Sequence, residues 1–360
     1  DLDEGLGQLV ELWLLEASEK LDESKRRYSL HPLTRAFAQN RLAENPDLER
    51  EARVRLAEFF ENFARAAGGD RWSWERYDEI EEEKDNIFAL IDWCFEKGEA
   101  TAGMKLTKSV TFFLNLRGYL FESIIFGRKA AEAARREGKT SDLAWLLIKG
   151  IGWREINGGN LEKGEALIRE GLNIYEKLED SKGIREALYA LGRAFLIKRD
   201  FNGARQYYEE SIALAKSSSD ELAIINIQRD LSLLARFEGK LMEAKQGLES
   251  LLPILRERDE LLLASTLEIL ARVNYQLKYY DAAFNIGSEG LELSKKMKRQ
   301  ETIAKISRTL AHTEFERSNY QSAIFFAQQA LEFYGKSGLF PRQIEELKTL
   351  IKELQEKLAG

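Results

Sequence analysis

The chain is predicted to be all-α, an array of antiparallel helical hairpins, on the strength of three spacings. A small residue recurs about every 40 positions, at Ser123, Gly164, Ala204, Ala244, Ala283 and Ala323. Self-similarity at such a period is the signature of stacked repeats, each of which buries its apolar face only against its neighbours. Three positions before each anchor stands a large apolar residue (Leu120, Leu161, Phe201, Leu241, Tyr280, Tyr320), and seven after it a residue that is usually small (Ala130, Gly171, Ser211, Gly290 and Ala330, with Leu251 the exception). Offsets of three and seven lie on one face of a helix. Twelve positions before the last five anchors come Gly152, Gly192, Ser232, Ala271 and Ala311, where a first helix must approach a second closely.

Four segments follow in order. In residues 1–45, positions 6–17 read as a helix, 19–25 as a polar turn and 27–31 as a strand, before Pro32 opens a helix over 33–42. Helix, short strand pair and helix suggest the C-terminal part of a winged-helix domain. Residues 46–98 form a helical linker or arm. Asn45 and Pro46 mark its start, Val54, Leu56, Phe59, Phe60 and Phe63 repeat at helical spacing, Gly68, Gly69 and Asp70 close the first helix, and a second runs from Ser73, a plausible N-cap, to the stop at Gly98. Residues 99–339 hold about six hairpins. Residues 340–360 form a capping helix, with Ile344, Leu347, Leu350, Ile351, Leu354 and Leu358 on one face and charged residues elsewhere, as the exposed end of the last hairpin requires.

Composition narrows the function. The chain is 32% charged and 44% hydrophobic with four prolines, and no apolar run approaches the ~18 residues that a membrane span needs. A cytoplasmic protein with no membrane partner is expected. Cys94, between Trp93 and Phe95, reads as a buried small hydrophobe, and two histidines cannot supply a histidine-rich metal site. A net charge of −7 argues against a nucleic-acid partner. Carboxylates occur in runs such as 79–83, which are solvated helix faces, so no catalytic set stands out and an enzyme is not expected. Two partial phosphate-loop sequences, Gly138-Lys139-Thr140 and Gly335-Lys336-Ser337, lack the first glycine, which is Ala133 in one and Ala330 in the other, and read as C-cap turns.

The lattice of small residues resembles the tetratricopeptide repeat (TPR), which implies a right-handed superhelix with the first helix of each pair on the concave side. The usual period is about 34 residues, so the extra residues are expected in longer helices and in loops such as 179–183. Long-period repeats of this kind resemble the sensor region of the bacterial maltose regulator. A second resemblance lies at Leu30-His31-Pro32-Leu33-Thr34-Arg35-Ala36-Phe37-Ala38, which looks like the Met-His-Asp region closing the nucleotide-binding module of signal-transduction ATPases with numerous domains (the STAND class). His31 and Arg35 match that pattern, while Pro32 stands in place of the aspartate. Glu83, Asp85, Asn86, Ile87, Phe88 and Leu90 resemble the stretch that opens the repeat region in such regulators. The resemblance implies a sensor and autoinhibitory region whose parent protein carries ADP or ATP with Mg, whose His31 faces the nucleotide, and whose partners are an inducer and the parent's own nucleotide-binding domain. No cofactor is expected in this segment itself.

In a TPR array the groove-facing positions fall 15, 11 and 8 residues before each anchor. They select Lys108, Phe112 and Asn115; Lys149, Trp153 and Ile156; Tyr189, Arg193 and Leu196; Arg229, Leu233 and Arg236; Glu268, Arg272 and Tyr275; and Arg308, His312 and Phe315. Ten of these, Lys149, Trp153, Tyr189, Arg193, Arg229, Arg236, Arg272, Tyr275, Arg308 and His312, form the candidate ligand site. A basic and aromatic wall in an acidic chain suits an anionic small molecule or a protein segment. The groove arginines are expected to be partly exposed, so that replacing them should hardly alter stability.

Overall fold

The computed structural model describes residues 2–17, 28–69, 73–337 and 340–359. The turn expected at 19–25, together with Arg27 and Asp70, lies outside them. Two compact units result, Asp1–Phe59 and Phe60–Gly360.

The first unit contains α1 (Leu2–Glu11), β1 (Leu15–Ala17), β2 (Tyr28–Leu30), α2 (Pro32–Ala43) and the start of α3 (Pro46–Ala66). The helix expected over 6–17 stops early. Trp13 takes φ +57°, in the left-handed region, and the chain reverses so that Leu15 pairs opposite Leu30 and Ala17 opposite Tyr28 in an antiparallel ladder. Pro32 occupies the first turn of α2, and His31 caps that helix, its Nδ1 accepting the Leu33 amide at 3.3 Å. No residue of α2 is buried: Leu33 and Phe37 are 76% and 63% exposed, and Trp13 is 86% exposed.

The second unit is a solenoid of helical hairpins, as the spacings predict. After α4 (Tyr77–Glu96) come α5 (Ala100–Arg117) with α6 (Leu120–Arg136); a first helix made of α7 (Thr140–Trp145), a π-helical stretch (Leu146–Gly152) and α8 (Trp153–Asn157), paired with α9 (Leu161–Lys177); α10 (Ser181–Lys198) with α11 (Phe201–Ser217); α12 (Glu221–Phe237) with α13 (Leu241–Arg258); α14 (Glu260–Gln276) with α15 (Tyr280–Lys296); α16 (Gln300–Glu316) with α17 (Tyr320–Ser337); and α18 (Pro341–Ala359). Each large apolar residue three before an anchor is the first residue of its second helix. The anchors themselves are buried, Ala204, Ala244, Ala283 and Ala323 completely. Gly152 and Gly164 show why small residues are needed. A Cβ on Gly152 would stand 2.8 Å from Ile168 Cγ1, and one on Gly164 would stand 2.8 Å from the Gly152 carbonyl oxygen, so the end of the π-helical stretch and α9 touch backbone to backbone.

Three local expectations are corrected. The extra residues of the long period lie in helices of 17 or 18 residues, while α10 already begins at Ser181, so that Ser181 to Gly183 are helical rather than loop. Asp180 caps it by accepting the Gly183 amide at 3.0 Å. The helix expected from Ser73 starts at Tyr77, because residues 73–76 form a turn in which Ser73 Oγ bonds to Glu75 at 2.7 Å. Gly138, with φ +65°, does end α6 as a C-cap glycine, but Gly335 lies inside α17, where Lys336 pairs with Glu332. Cys94 is fully buried, in agreement with the sequence reading.

The second unit turns back on itself, so that its first and last hairpins meet. The Asp78 carboxylate of α4 accepts from Arg117 Nη2 of α5 at 2.7 Å and from Lys298 Nζ of the α15–α16 turn at 2.8 Å. Beside it, a Cβ on Gly118 would stand 3.1 Å from the Phe333 ring and 3.3 Å from Gln300. Asp78→Lys places three cations together there. The expected result is faster amide hydrogen exchange around 117–119 and 298–303, by the equivalent of about 1 kcal/mol, the upper end for a largely exposed ion pair. Unchanged exchange would show that apolar packing alone holds the junction.

Candidate functional site

A cavity of about 480 Å³ opens among the first helices of the solenoid. Helix α5 contributes Phe112 and Asn115, the π-helical stretch and α8 contribute Ile148, Lys149 and Trp153, and α10 contributes Arg185, Glu186, Tyr189 and Arg193. Leu222, Asn226, Ile227 and Arg229 come from α12, Leu261, Leu262 and Ser265 from α14, and Arg299 from the N-cap of α16. Consecutive first helices present equivalent faces, and so residues far apart in sequence converge.

The floor is a buried ion network centred on Asp230, which is fully buried on the face of α12 that points inward. Arg229 donates to Asp230 Oδ1 from Nε at 3.1 Å and from Nη2 at 2.8 Å, Arg193 Nε lies 3.2 Å from Oδ2, and the Tyr189 hydroxyl donates to Oδ2 at 2.9 Å. Burial by itself would raise the Asp230 pKa, but the Arg229 and Arg193 guanidiniums outweigh it and hold the carboxyl below the usual range. The Arg193 guanidinium stacks on Trp153 with its carbon 3.7 Å from the ring centroid.

Other charges of the wall are also paired. Lys149 meets Glu186 at 2.8 Å and Arg185 meets Asp220 at 3.1 Å. Behind the wall, buried Arg154 donates to Asn115 Oδ1 at 2.5 Å and lies 3.4 Å from Glu301. Arg299 differs. Its Nη1 donates to the Leu261 carbonyl at 2.8 Å and to Ser265 Oγ at 2.6 Å, and among the described residues no carboxylate is in ion-pair contact with it. Burial, with Arg229 and Arg193 nearby, pushes its pKa down to about 10 in spite of Glu301 and Glu268.

The ten residues selected by sequence fall into two groups. Lys149, Trp153, Tyr189, Arg193 and Arg229 line the cavity. Arg236, Arg272, Tyr275, Arg308 and His312 do not, and make a second row. Arg236 Nη1 donates to Gln276 at 3.1 Å and lies over Phe237, Arg272 pairs with Glu268, the Tyr275 and His312 rings are 6.1 Å apart, and Arg308 and His312 reach Glu346 of α18. Burial and the neighbouring Arg272 push the Arg236 pKa down to about 10. The expectation that the groove arginines are partly exposed and replaceable without cost fails for Arg229 and Arg236, which are 6% and 9% exposed, while Arg193, Arg272 and Arg308 are partly exposed.

Among the polar residues that escape the groove spacing are Arg185, Asn226 and Arg299 of the lining and Asp230 behind it. Asp230 shares the apolar face of α12 with Ile227 and Leu234, and a carboxylate among aliphatic residues is a legible sign of a buried partner. Arg299 sits at a helix cap, outside the 3.6-residue periodicity, and nothing in the sequence marks it. Among the described residues no group of three or more His, Cys, Asp or Glu could hold a metal ion, and no helix is long and apolar enough to cross a membrane.

No protein-family model matches the chain. Among curated proteins it is similar to the transcription activator GutR of Bacillus subtilis (strain 168), 27% identical over 164 residues, 43% of this chain and 20% of that protein. The match thus spans about a fifth of the relative's length. Among solved structures it is similar to NprR in complex with its cognate peptide NprX (TM-score 0.56, 14% identity, 82% of this chain and 84% of that one). It is also similar to the Rap conjugation gene regulator of plasmid pLS20 with the Phr* peptide (TM-score 0.53, 15% identity, 85% and 96%) and to a Rap protein complexed with competence and sporulation factor (0.52, 11%, 86% and 99%). At these identities the likeness establishes the fold, a TPR-like helical-repeat solenoid.

Proposed function

We propose that the chain is the ligand-sensing and autoinhibitory region of a regulatory protein of the STAND class, with the inducer, a peptide or small anionic molecule, bound in the cavity. The observation that carries this reading is the cavity itself, closed by side chains from the first helices of successive hairpins and rich in aromatic and cationic groups. Its size lies within the range of small-molecule and peptide sites. The likeness to a transcription activator and to regulators solved with peptides supports a regulatory role with a protein or peptide partner. Opening of the junction at Asp78 would give the second state, with different ligand affinity, that control of this kind requires.

In this reading residues 1–45 are the end of a winged-helix domain, and the exposed faces of Leu33, Phe37 and Trp13 dock on the parent's nucleotide-binding domain. His31, exposed at the N-cap of α2, would there face ADP. The competing reading is a free-standing TPR scaffold without nucleotide control. The two separate on one measurement. Joined to its natural upstream sequence, the His31→Ala variant should exchange bound ADP several-fold faster than wild type, while residues 1–360 alone neither bind nor hydrolyse ATP. Unchanged exchange, or an upstream sequence without a phosphate-binding loop, leaves the scaffold reading.

A further inference from the structure

The charges around the cavity do not balance, and the imbalance points to a ligand. The lining holds five cations, Lys149, Arg185, Arg193, Arg229 and Arg299, and three carboxylates, Glu186, Asp220 and Asp259, while behind it Asp230 adds a fourth carboxylate and Arg154 with Glu301 adds one charge of each sign. One positive charge is left over. Four of the cations touch a carboxylate. Asp259 is occupied as the N-cap of α14, accepting the Leu262 amide at 2.8 Å, and so Arg299 is the lining cation with no carboxylate in ion-pair contact among the described residues, Glu301 and Glu268 acting on it only from further off.

The Arg299 guanidinium is also held ready. Nη1 is fixed by the Leu261 carbonyl and Ser265 Oγ, which leaves the Nε–Nη2 edge without a hydrogen bond among the described residues, and that edge has the fork geometry that matches a carboxylate through two parallel bonds. A half-buried guanidinium with an unused edge lacks interactions it would have in water, and an anion restores them. The rest of the lining is largely apolar, with Ile148, Trp153, Leu222, Ile227 and Leu262. Asn226 adds an amide that forms no hydrogen bond among the described residues.

We propose that the cavity takes a ligand with a single carboxylate on an apolar body, and that Arg299 is the residue that recognises the carboxylate. One excess positive charge matches a monoanion. A phosphate dianion would reverse the excess and face Glu186, Asp220 and Asp259. The proposal rests on the reading of the cavity as the ligand site and adds its chemistry. The carboxylate has two possible sources, the C-terminus of a peptide or a free small acid, and in either case it meets the same edge of Arg299.

The test uses residues 1–360 and two probe pairs. The first is a degenerate N-acetylated pentapeptide pool without Asp or Glu, with the C-terminus either free or amidated, retention being read by mass spectrometry. The second is octanoate against octanamide, read by calorimetry. Wild type should bind the free acid of at least one pair, and binding should fall at least tenfold for the amide and for Arg299→Gln. Arg299→Lys, which keeps the charge without the fork, should fall between. Which pair responds identifies the source. Asn226→Trp, which fills the cavity without touching the charges, should abolish binding of every probe, and thermal melts confirm that each variant is folded. Equal binding of acid and amide, or of wild type and Arg299→Gln, with Asn226→Trp still blocking, overturns the role of Arg299 and leaves the cavity as a site. Binding that survives in Asn226→Trp overturns the cavity itself, and no binding of either acid by wild type overturns the proposal.

Discussion

Asp230→Ala should lower the unfolding free energy of the solenoid by about 3–5 kcal/mol, the cost of removing one partner from a buried ion pair. Arg229 is 6% exposed and donates twice to this carboxylate, Arg193 approaches it at 3.2 Å and Tyr189 donates to it at 2.9 Å. Without Asp230, two guanidiniums face each other with no anion between them, and the Tyr189 hydroxyl loses its acceptor. Asp230→Asn keeps an acceptor for Tyr189 but not the charge, and should cost less than the alanine.

The sign of the pH dependence follows from the same contacts. The folded-state pKa of Asp230 lies below that of the unfolded chain, about 3.9. The unfolded state therefore binds the proton more readily, and the stability that Asp230 supplies is complete above about pH 4 and disappears as pH falls through the folded value. Glu301, lowered by Lys305 and Arg154 against the opposing effect of burial, acts in the same direction. Urea melts at pH 7 and pH 3 should show wild type losing more stability on acidification than Asp230→Asn does. Equal losses would mean that Asp230 contributes little to the acid response, and a cost below 1 kcal/mol at pH 7 would mean that Arg229 finds another partner.

The repeat lattice was legible because packing wrote it into the sequence. Where the π-helical stretch meets α9 through Gly152 and Gly164, no larger side chain fits, and small residues recur at the corresponding positions of the later hairpins at a fixed distance. Within the hairpins, the register of the first helices could be read well enough to place Lys149, Trp153, Tyr189, Arg193 and Arg229 on the cavity. Depth along each helix could not. Arg236, Arg272 and Arg308 share the face but sit further toward the helix C-termini or on later hairpins, where Glu268, Gln276 and Glu346 engage them. Arg299 is illegible for a different reason. Its position on the wall depends on how the last hairpins curve back toward the first, which is a sum of small rotations over the whole array and leaves no local trace. In the first unit the helix read over residues 6–17 is cut short, and the reversal at Trp13 goes with the pairing of Leu15 with Leu30, a contact between segments.

Leu347→Ala should cost about 2–5 kcal/mol, the range for a truncated buried leucine. Leu347 and Leu354 are fully buried and, with Leu350, cover Ala327, Ala330 and Tyr334 of α17. The neighbouring Glu346→Gln is the control. It removes the carboxylate that meets His312 at 2.7 Å and Arg308 at 3.4 Å. Because Glu346 is 42% exposed, its loss should stay within about 1 kcal/mol. The two variants sit one residue apart on α18 and separate its packing from its charge. Solenoids unravel from their ends, since each hairpin is stabilised by its neighbours. In Leu347→Ala, faster hydrogen exchange should therefore start in α17 and α16 and leave α9 to α11 protected. The junction at Asp78 gives this array one additional route. Loosening of α16 and α17 shifts Lys298, Gln300 and Phe333, so Tyr119 and the end of α5 should lose protection together with the C-terminal hairpin, although they lie about 200 residues away in sequence. Fraying confined to α16–α18 would show that the two ends touch without supporting each other. Uniform acceleration across all hairpins would show a single cooperative unit.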